Sequence, residues 1–399
     1  MCRRVAFYDD ASYNFEIIRT LSHAVNGAAD INECMNVAEN VSAGDGEAWY
    51  REFMNLAERV EIFGNQCESR GHLLSAYSSY LRASNYYRMA DFYIHANPSD
   101  ERIKDCSRHA IVAFKKAAPG FRHPMECFQI PYEKNRMPAY FLKGGKPGTK
   151  APVFIIFNGF DGNKEESIYG NHGFAAADRG YHVLAVDGPG QGEFLREQNH
   201  YFRPDYEAVV TPVVDYLYTR EDVDTDRIAL MGVSLGGLLV GSAAAHENRI
   251  KALIANSGLT STKTYVDLAF PKIGELAYSD PARCNELSRK IAENDSGKRW
   301  ALENGRFVFG AEDNAGFIRK YLELGFDDAH KITATTLVLD SDGEHFFPGC
   351  AEEMYNQLTC PKTLMVMTKR ECVQFHCQAG GELYGGQLIL NWLDEIFRS

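Results

Sequence analysis

The spacing of hydrophobic residues along the chain changes near residue 125. Before that point, apolar residues recur three and four positions apart, which is typical of amphipathic helices. The helices that this pattern predicts cover residues 47–63, 71–94 and 100–116. Pro98 and Pro119 punctuate the pattern, because proline lacks a backbone N–H and does not continue a helix. We therefore predict an N-terminal helical domain over residues 1–124.

After residue 125, short apolar runs alternate with helical stretches. Two runs, at 127–132 and 138–143, predict an antiparallel lead-in pair of strands. Further strands are predicted at residues 152–157, 182–186, 227–231, 253–256, 335–339 and 363–367. Fully apolar strands that alternate with helices indicate a mostly parallel sheet with helices on both faces. The predicted fold class is α/β, with this second domain over residues 125–399.

The segment between the strands at 253–256 and 335–339 is far longer than one crossover helix requires. Its apolar residues have helical spacing. We predict that residues 257–330 form a helical insertion that caps the C-terminal edge of the sheet.

Composition narrows the classes of function. The 399 residues include 42 basic and 54 acidic side chains, which gives a formal net charge of −12. An acidic surface repels phosphate backbones and anionic lipids, so we expect neither nucleic acid nor a membrane as a partner. No apolar run is long enough to span a bilayer, and the opening segment lacks the apolar core of a secretory signal. We therefore expect a cytoplasmic protein.

The ten cysteines are scattered along the chain and form no C-x-x-C pair. We expect free, buried thiols without a catalytic role, as in a reducing compartment. The sequence has no H-E-x-x-H or Walker motif, and its glycine-rich loop at 187–193 contains Pro189 and does not match G-x-G-x-x-G. No metal ion or other cofactor is expected.

The strongest chemical signal is the G-x-S-x-G pentapeptide at residues 232–236. It directly follows the predicted strand at 227–231 and precedes an apolar helical stretch at 235–245, which is the context of a nucleophile elbow. Such a turn exposes a serine hydroxyl at the start of a helix. We predict that Ser234 is a nucleophile and that the backbone N–H of Leu235 donates to the oxyanion.

A serine hydroxyl needs a base that is oriented by an acid. Apart from His246, directly at the end of the serine's helix, three histidines lie further along the chain. His376 lies shortly after the last predicted strand, where the base belongs in this fold. His330 precedes a strand, and His345 occupies the loop where the acid belongs. We therefore predict that His376 is the base.

The acid is expected in the loop at 340–348, which follows the strand at 335–339. Hydrolases with a nucleophile elbow commonly place it four residues before the proline that ends this loop. Here that proline is Pro348, so the rule selects Glu344. Asp342 is the alternative, and Asp340 is too close to the strand.

The oxyanion site needs a second backbone N–H, from the loop after the strand at 152–157. Phe160 is the predicted donor, with Asp161 as the alternative.

Two aromatic pairs, Tyr86–Tyr87 and Phe346–Phe347, are candidates to stack on an aromatic substrate, although core packing explains any one of these residues at least as well.

Several longer motifs carry a resemblance to a known group of proteins. They are WYREFMNLAERVE, RASNYYR, IPYEKNRMPAYF, NGFDGNKEE, VDGPGQGE, GVSLGG and FHCQAG. Several of these, notably RASNYYR and the HCQ of FHCQAG, are not general to folds with a nucleophile elbow. With them the chain resembles α/β-hydrolases, in particular the group of dihydroxypseudooxynicotine hydrolase and the fungal polyketide-shortening hydrolases of pigment biosynthesis. The resemblance carries the serine, acid and histidine of that group onto Ser234, Glu344 and His376. Glutamate at 344 departs from the aspartate that is usual there.

The resemblance implies cleavage of a carbon–carbon bond next to a ketone in an aromatic or polyketide-type small molecule. The same groups would cleave an ester or thioester. An acyltransferase or cyclase with the same three residues, and a binding protein with a decayed site, are the alternatives. A homodimer is compatible with the resemblance.

Overall fold

The computed structural model of the chain describes residues 7–398. Residues 1–6, which include Cys2 and the start of the opening segment, lie outside the described residues. The helices before the sheet are α1 (Ala11–Ser22), α2 (Ile31–Asn40), α3 (Gly46–Ser69), α4 (Leu73–Ala90) and α5 (Glu101–Ala117). The patterns at 47–63, 71–94 and 100–116 fall on α3, α4 and α5. The short helices α1 and α2 were not predicted.

Side-chain caps help to define where the N-terminal helices begin. Asp10 accepts a hydrogen bond from the backbone N–H of Tyr13 at the start of α1, and Asp45 accepts one from Ala48 at the start of α3. Trp49 of α3 is fully buried in the core of these helices, as is the pair Tyr86–Tyr87 of α4. Tyr86 and Tyr87 therefore contribute to packing between helices.

The strands are β1 (Met125–Tyr132), β2 (Asn135–Lys143), β3 (Ala151–Phe157), β4 (His182–Val186), β5 (Val223–Val233), β6 (Ala252–Asn256), β7 (Thr335–Ser341) and β8 (Lys362–Met367). They form one sheet in the order β1-β2-β4-β3-β5-β6-β7-β8. β1 and β2 pair antiparallel, β2 pairs antiparallel with β4, and all later pairs are parallel. The predicted α/β fold class is therefore confirmed.

The remaining helices follow individual strands of the sheet. Those between β3 and β6 are α6 (Lys164–Tyr169), α7 (Gly173–Asp178), α8 (Gly192–Gln198), α9 (Glu207–Tyr218) and α10 (Gly236–Ala244). Those between β6 and β7 are α11 (Lys263–Ala269), α12 (Ile273–Ser279), α13 (Pro281–Ala292), α14 (Ser296–Phe309) and α15 (Asn314–Leu322). The last two are α16 (Cys350–Gln357) and α17 (Glu382–Arg398). The exact domain limits at 124 and 257–330 stay predictions.

Both faces of the sheet are covered, as fully apolar strands require. In β3, Ile155 packs into the core that holds Val213 of α9, whereas Ile156 packs into the core that holds Leu393 of α17. Neighbouring residues of one strand thus enter opposite cores. No helix in residues 7–398 is long and apolar enough to cross a membrane.

A buried lysine stabilises the loop after β4. The Lys164 ammonium is 1% exposed and lies 3.0 Å from Asp187, 3.1 Å from Glu165 and 2.8 Å from Glu193. Asp187 also accepts from the backbone N–H groups of Lys164 and Glu193. Buried carboxylates of this kind are costly without a cation beside them.

We expect Lys164→Met to lower the free energy of unfolding by about 3–5 kcal/mol, since it leaves buried carboxylates unpaired. The matched control is Lys290→Met, because Lys290 is 63% exposed in its pair with Glu286 and should contribute less than about 1 kcal/mol. Urea unfolding followed by circular dichroism measures both. Equal, small losses would contradict a stabilising role for the cluster.

Candidate active site

Ser234 lies in a sharp turn between β5 and α10. Its φ is +58°, in the left-handed region that non-glycine residues seldom adopt. A Cβ at Gly232 would clash with the carbonyl oxygen of Gly236, so glycine is required for the chain to double back. The backbone N–H of Ser234 donates to the Asn256 carbonyl at the end of β6. The turn therefore has the strained geometry that the pentapeptide predicts.

The structure brings the Ser234, His376 and Glu344 side chains together in a hydrogen-bonded line. His376 Nε2 lies 2.8 Å from Ser234 Oγ, and His376 Nδ1 lies 2.7 Å from Glu344 Oε2. Glu344 follows β7 and His376 follows β8. Because these neighbouring strands are parallel, their C-terminal loops meet at one edge of the sheet.

The alternative acids lie elsewhere. Asp340 is part of β7, and its carboxylate accepts from the backbone N–H of Ser341. The Asp342 carboxylate accepts from the backbone N–H of Lys369. His330 belongs to a short 3₁₀ turn before β7, and His345 Nδ1 lies 3.3 Å from the Gly343 carbonyl. Of the three candidate acids in this loop, Glu344 is the one beside His376.

Electrostatics favour a charged Glu344. Burial raises the pKa of its carboxyl group, but the nearby His376 charge and hydrogen bonds from His376, Phe346 N–H and Ser257 lower it to about 2. Burial lowers the pKa of His376, while Cys377 and Glu344 raise it, and the net shift is well upward. A buried carboxylate thus stabilises the protonated imidazole, as a general base requires.

Ser257 is a contact that the sequence analysis missed. Its hydroxyl donates to Glu344 Oε2 at 2.9 Å and lies 3.4 Å from His376 Nδ1. The other carboxylate oxygen, Oε1, accepts from the backbone N–H of Phe346 at 2.9 Å. The available signal was position, because Ser257 directly follows β6, the strand between those that carry Ser234 and Glu344.

The loop after β3 packs against the Ser234 turn. A Cβ at Gly159 would lie 2.8 Å from the backbone nitrogen of Leu235, so glycine permits this approach. Asn304 of α14 donates to the Phe160 carbonyl at 3.1 Å. Within residues 7–398, the backbone N–H groups of Leu235 and Phe160 have no hydrogen-bond acceptor. Both are therefore free to donate to a ligand.

A cavity of about 590 Å³ opens above Ser234 and His376. Its aromatic lining consists of Phe15, Phe160, Tyr265, Trp300, Tyr321, Phe346 and Phe347. Phe346 and Phe347, the second predicted aromatic pair, thus line the cavity. The pair Tyr86–Tyr87 is not part of this lining.

Helix α1 supplies a charged part of the cavity wall through Glu16 and Arg19. The Arg19 guanidinium lies 2.8 Å from Asp161, in the loop after β3, and 2.7 Å from Glu166 of α6. Burial raises the pKa of Glu16 to about 7, although Arg19 opposes that shift. Sequence reasoning missed this wall, because it did not predict α1.

The expectation of buried thiols holds only in part. The cysteines among residues 7–398 are free, but Cys127 and Cys372 are exposed. The Cys377 sulfur lies 3.4 Å from His376 Nε2 at the cavity. Cys127 is exposed because it lies on the side of β1 that also exposes Gln129 and Pro131 to solvent.

Comparison with known proteins identifies the family. The chain is 30% identical to 20-hydroxy-prefusarin hydrolase FUS2 of Gibberella moniliformis over 407 aligned residues, which cover 96% of each protein. It is 34% identical to the hydrolase acrC of Aspergillus aculeatus, over 86% of this chain and 85% of that one. The chain belongs to the α/β-hydrolase family. This α/β-hydrolase is an enzyme of the same group as those fungal hydrolases.

Two further matches agree with that family. The profile of the prolyl oligopeptidase family matches residues 170–290 of this α/β-hydrolase, which include the Ser234 turn. The crystal structure of 2,6-dihydroxy-pseudo-oxynicotine hydrolase is similar in fold, with a TM-score of 0.74 and 21% identity over 94% of this chain and 95% of that chain.

We expect Glu344→Gln to lower kcat by about 10⁴-fold, because a neutral amide cannot stabilise a protonated His376. Asp342→Asn should leave kcat close to wild type. Activity of the wild type should rise with pH through the raised pKa of His376, because the base must be neutral. Hydrolysis of 4-nitrophenyl acetate across pH 5–9 tests both points. The reverse ranking of the two variants would make Asp342 the acid.

We expect Ser257→Ala to lower kcat by about 10-fold with KM changed less than about 2-fold, because it removes a charge-assisted hydrogen bond from the Glu344 carboxylate. Ser261→Ala is the control, since Ser261 is an exposed serine just downstream. Steady-state kinetics on the same ester separate kcat from KM. A change confined to KM would argue against a positioning role.

Proposed function

We propose that this α/β-hydrolase cleaves an aromatic or polyketide-type small molecule through an acyl-serine intermediate on Ser234. The scissile bond is a carbon–carbon bond beside a ketone, or an ester or thioester bond. The hydrogen-bonded line from Ser234 through His376 to Glu344, beside a cavity with a wall of aromatic side chains, is the observation that carries the proposal.

In the acylation step, His376 Nε2 takes the proton of Ser234 Oγ as that oxygen attacks the substrate carbonyl carbon. The carbonyl oxygen becomes an oxyanion, and the backbone N–H groups of Leu235 and Phe160 donate to it. The charge of Glu344 offsets the positive charge that His376 gains. This step forms the Oγ–C bond and a tetrahedral intermediate.

Collapse of the intermediate breaks the bond to the leaving group, which takes the proton from His376. A carbon leaving group departs with the electron pair of the broken bond, so it needs an adjacent carbonyl or ring that delocalises the charge. Water then attacks the acyl-serine, His376 accepts its proton, and the carboxylic acid product leaves as that proton returns to Ser234 Oγ.

The proposed substrate class is supported by the cavity and by relatives. The cavity has room for a drug-sized molecule, and aromatic side chains supply flat apolar contacts. FUS2 is named for 20-hydroxy-prefusarin. The cytoplasmic location and the absence of nucleic-acid, membrane and cofactor partners stay predictions of the sequence.

A fluorophosphonate probe tests the nucleophile. We expect wild-type protein to be labelled on Ser234 and Ser234→Ala to remain unlabelled, because the probe reacts with an activated serine. Ser242→Ala is the matched control, since Ser242 lies in α10 close to the nucleophile in sequence. Peptide mass spectrometry locates the label. An unlabelled wild type would favour a decayed binding protein instead.

The bond type is tested with the Ser234→Ala variant. Incubation with an extract of the source organism, followed by mass spectrometry of the protein's bound small molecules, should recover a ketone, ester or thioester with an aromatic or polyketide frame. Wild-type enzyme given that compound should produce a carboxylic acid. Dominant transfer of the acyl group to an added alcohol or amine would contradict simple hydrolysis.

A further inference from the structure

A continuous arc of aromatic rings crosses the cavity from the base to the loop that packs against the nucleophile turn. The Phe346 ring lies 4.7 Å from the His376 ring, and Tyr265 lies 6.1 Å from Phe346. Tyr321 lies 5.9 Å from Tyr265 and 5.9 Å from Phe160. Two tyrosines therefore occupy the middle of an arc whose ends, His376 and Phe160, flank Ser234.

The hydroxyl groups of these two tyrosines have no hydrogen-bond partner within residues 7–398, although Tyr321 is only 3% exposed. Among other buried tyrosines, Tyr80 and Tyr140 have one, whereas Tyr206 does not. The Tyr80 hydroxyl donates to Glu68 at 2.8 Å, and the Tyr140 hydroxyl donates to Glu165 at 2.6 Å. Both rings line the cavity, so their two hydroxyls are available to donate hydrogen bonds to a ligand there.

Both phenols remain neutral donors at physiological pH. Burial is the main cause that raises the pKa of Tyr265 and of Tyr321. No salt bridge or hydrogen bond between their hydroxyls and a charged side chain occurs in the described chain. The negative charge of Asp295 also raises the pKa of Tyr265. It would repel an anionic acceptor, so an uncharged acceptor suits these neutral donors.

We propose that Tyr265 and Tyr321 form a subsite that donates hydrogen bonds to a carbonyl oxygen on a flat, conjugated part of the substrate, remote from the reacting carbonyl. This subsite deepens the proposed function and rests on it. The ligand class is a ring lactone, quinone, pyrone or conjugated ketone, whose plane contacts Phe160 and Phe346 while its oxygen meets the two hydroxyls.

Such a subsite discriminates against molecules that lack the carbonyl oxygen. A hydrocarbon of the same shape would fill the arc but leave the two hydroxyls unpaired. Sites built to donate to a substrate oxygen therefore discriminate strongly against analogues without it. The pair would also fix the direction of a flat molecule that could otherwise slide along the aromatic wall.

Two bicyclic phenols serve as matched probes. 4-Methylumbelliferone carries a ring-lactone carbonyl, and 2-naphthol has a similar size and hydroxyl but lacks that carbonyl. Binding to the Ser234→Ala protein by fluorescence titration should be tighter for 4-methylumbelliferone. Tyr321→Phe and Tyr265→Phe should each weaken it by about 3- to 10-fold, the range for one lost hydrogen bond, and change 2-naphthol by less than about 2-fold.

The control is Tyr384→Phe, because Tyr384 lies on α17 and is 43% exposed. It should change neither affinity. Thermal unfolding of each variant shows whether the protein is folded, since Tyr→Phe retains the ring packing. Equal weakening of both probes, or no weakening of either, in folded variants would overturn the subsite.

Turnover separates this inference from the proposed function. In protein that retains Ser234, the substitution Tyr321→Phe should lower kcat/KM for 4-methylumbelliferyl acetate more than for 2-naphthyl acetate. If neither ester is cleaved and the fluorophosphonate probe does not react, the proposed function fails, and the carbonyl-dependent difference in affinity still decides the subsite. If the probe reacts but the affinities do not depend on the carbonyl, the subsite alone fails.

Discussion

The left-handed backbone of Ser234 is the constraint on which the rest of the site depends. A serine at the tip of the central strand β5 points into the cavity only if the chain reverses within one residue. That reversal needs glycine at Gly232, and the loop after β3 can approach the turn only because of Gly159. The hydrogen bond from the backbone N–H of Ser234 to the Asn256 carbonyl connects the turn to β6. Relaxing the turn would move Oγ away from His376 and Leu235 N–H away from the neighbouring loop.

The site also requires a stable negative charge on the buried Glu344 carboxylate. The Glu344 side chain is 3% exposed, yet its carboxylate receives hydrogen bonds from a histidine, a serine and a backbone N–H. Each of these donors belongs to a different loop at the C-terminal edge of the sheet. Both oxygens of this glutamate therefore have donors that fix the orientation of the carboxylate. The aromatic residues that follow Glu344 keep this arrangement out of bulk water.

Sequence alone predicted the parts of the molecule that local pattern determines. Apolar runs located the strands, and the glycine-flanked Ser234 located the turn, because each signal is contained within a few neighbouring residues. Chain order then placed Glu344 and His376 in the correct loops, and their catalytic roles stay predictions. Ser257 and the pair Tyr265–Tyr321 were missed, because the direction of a side chain in a loop or insertion is set by packing against distant segments. Helix α1 was missed because its apolar pattern spans only 12 residues, and its charged residues have their partners in α6 and the loop after β3.

The charged hydrogen bond from Arg19 to Asp161 connects α1 to the loop that contains Phe160. Phe160 is therefore held from two directions, by Asn304 of the insertion and through its neighbour by α1. The N-terminal helices and the sheet consequently share one set of buried charges, and neither part retains its electrostatic balance without the other. Exchange of the N-terminal helices between members of this family would carry a mismatched charge into the cavity wall unless Asp161 and Glu166 were exchanged with them.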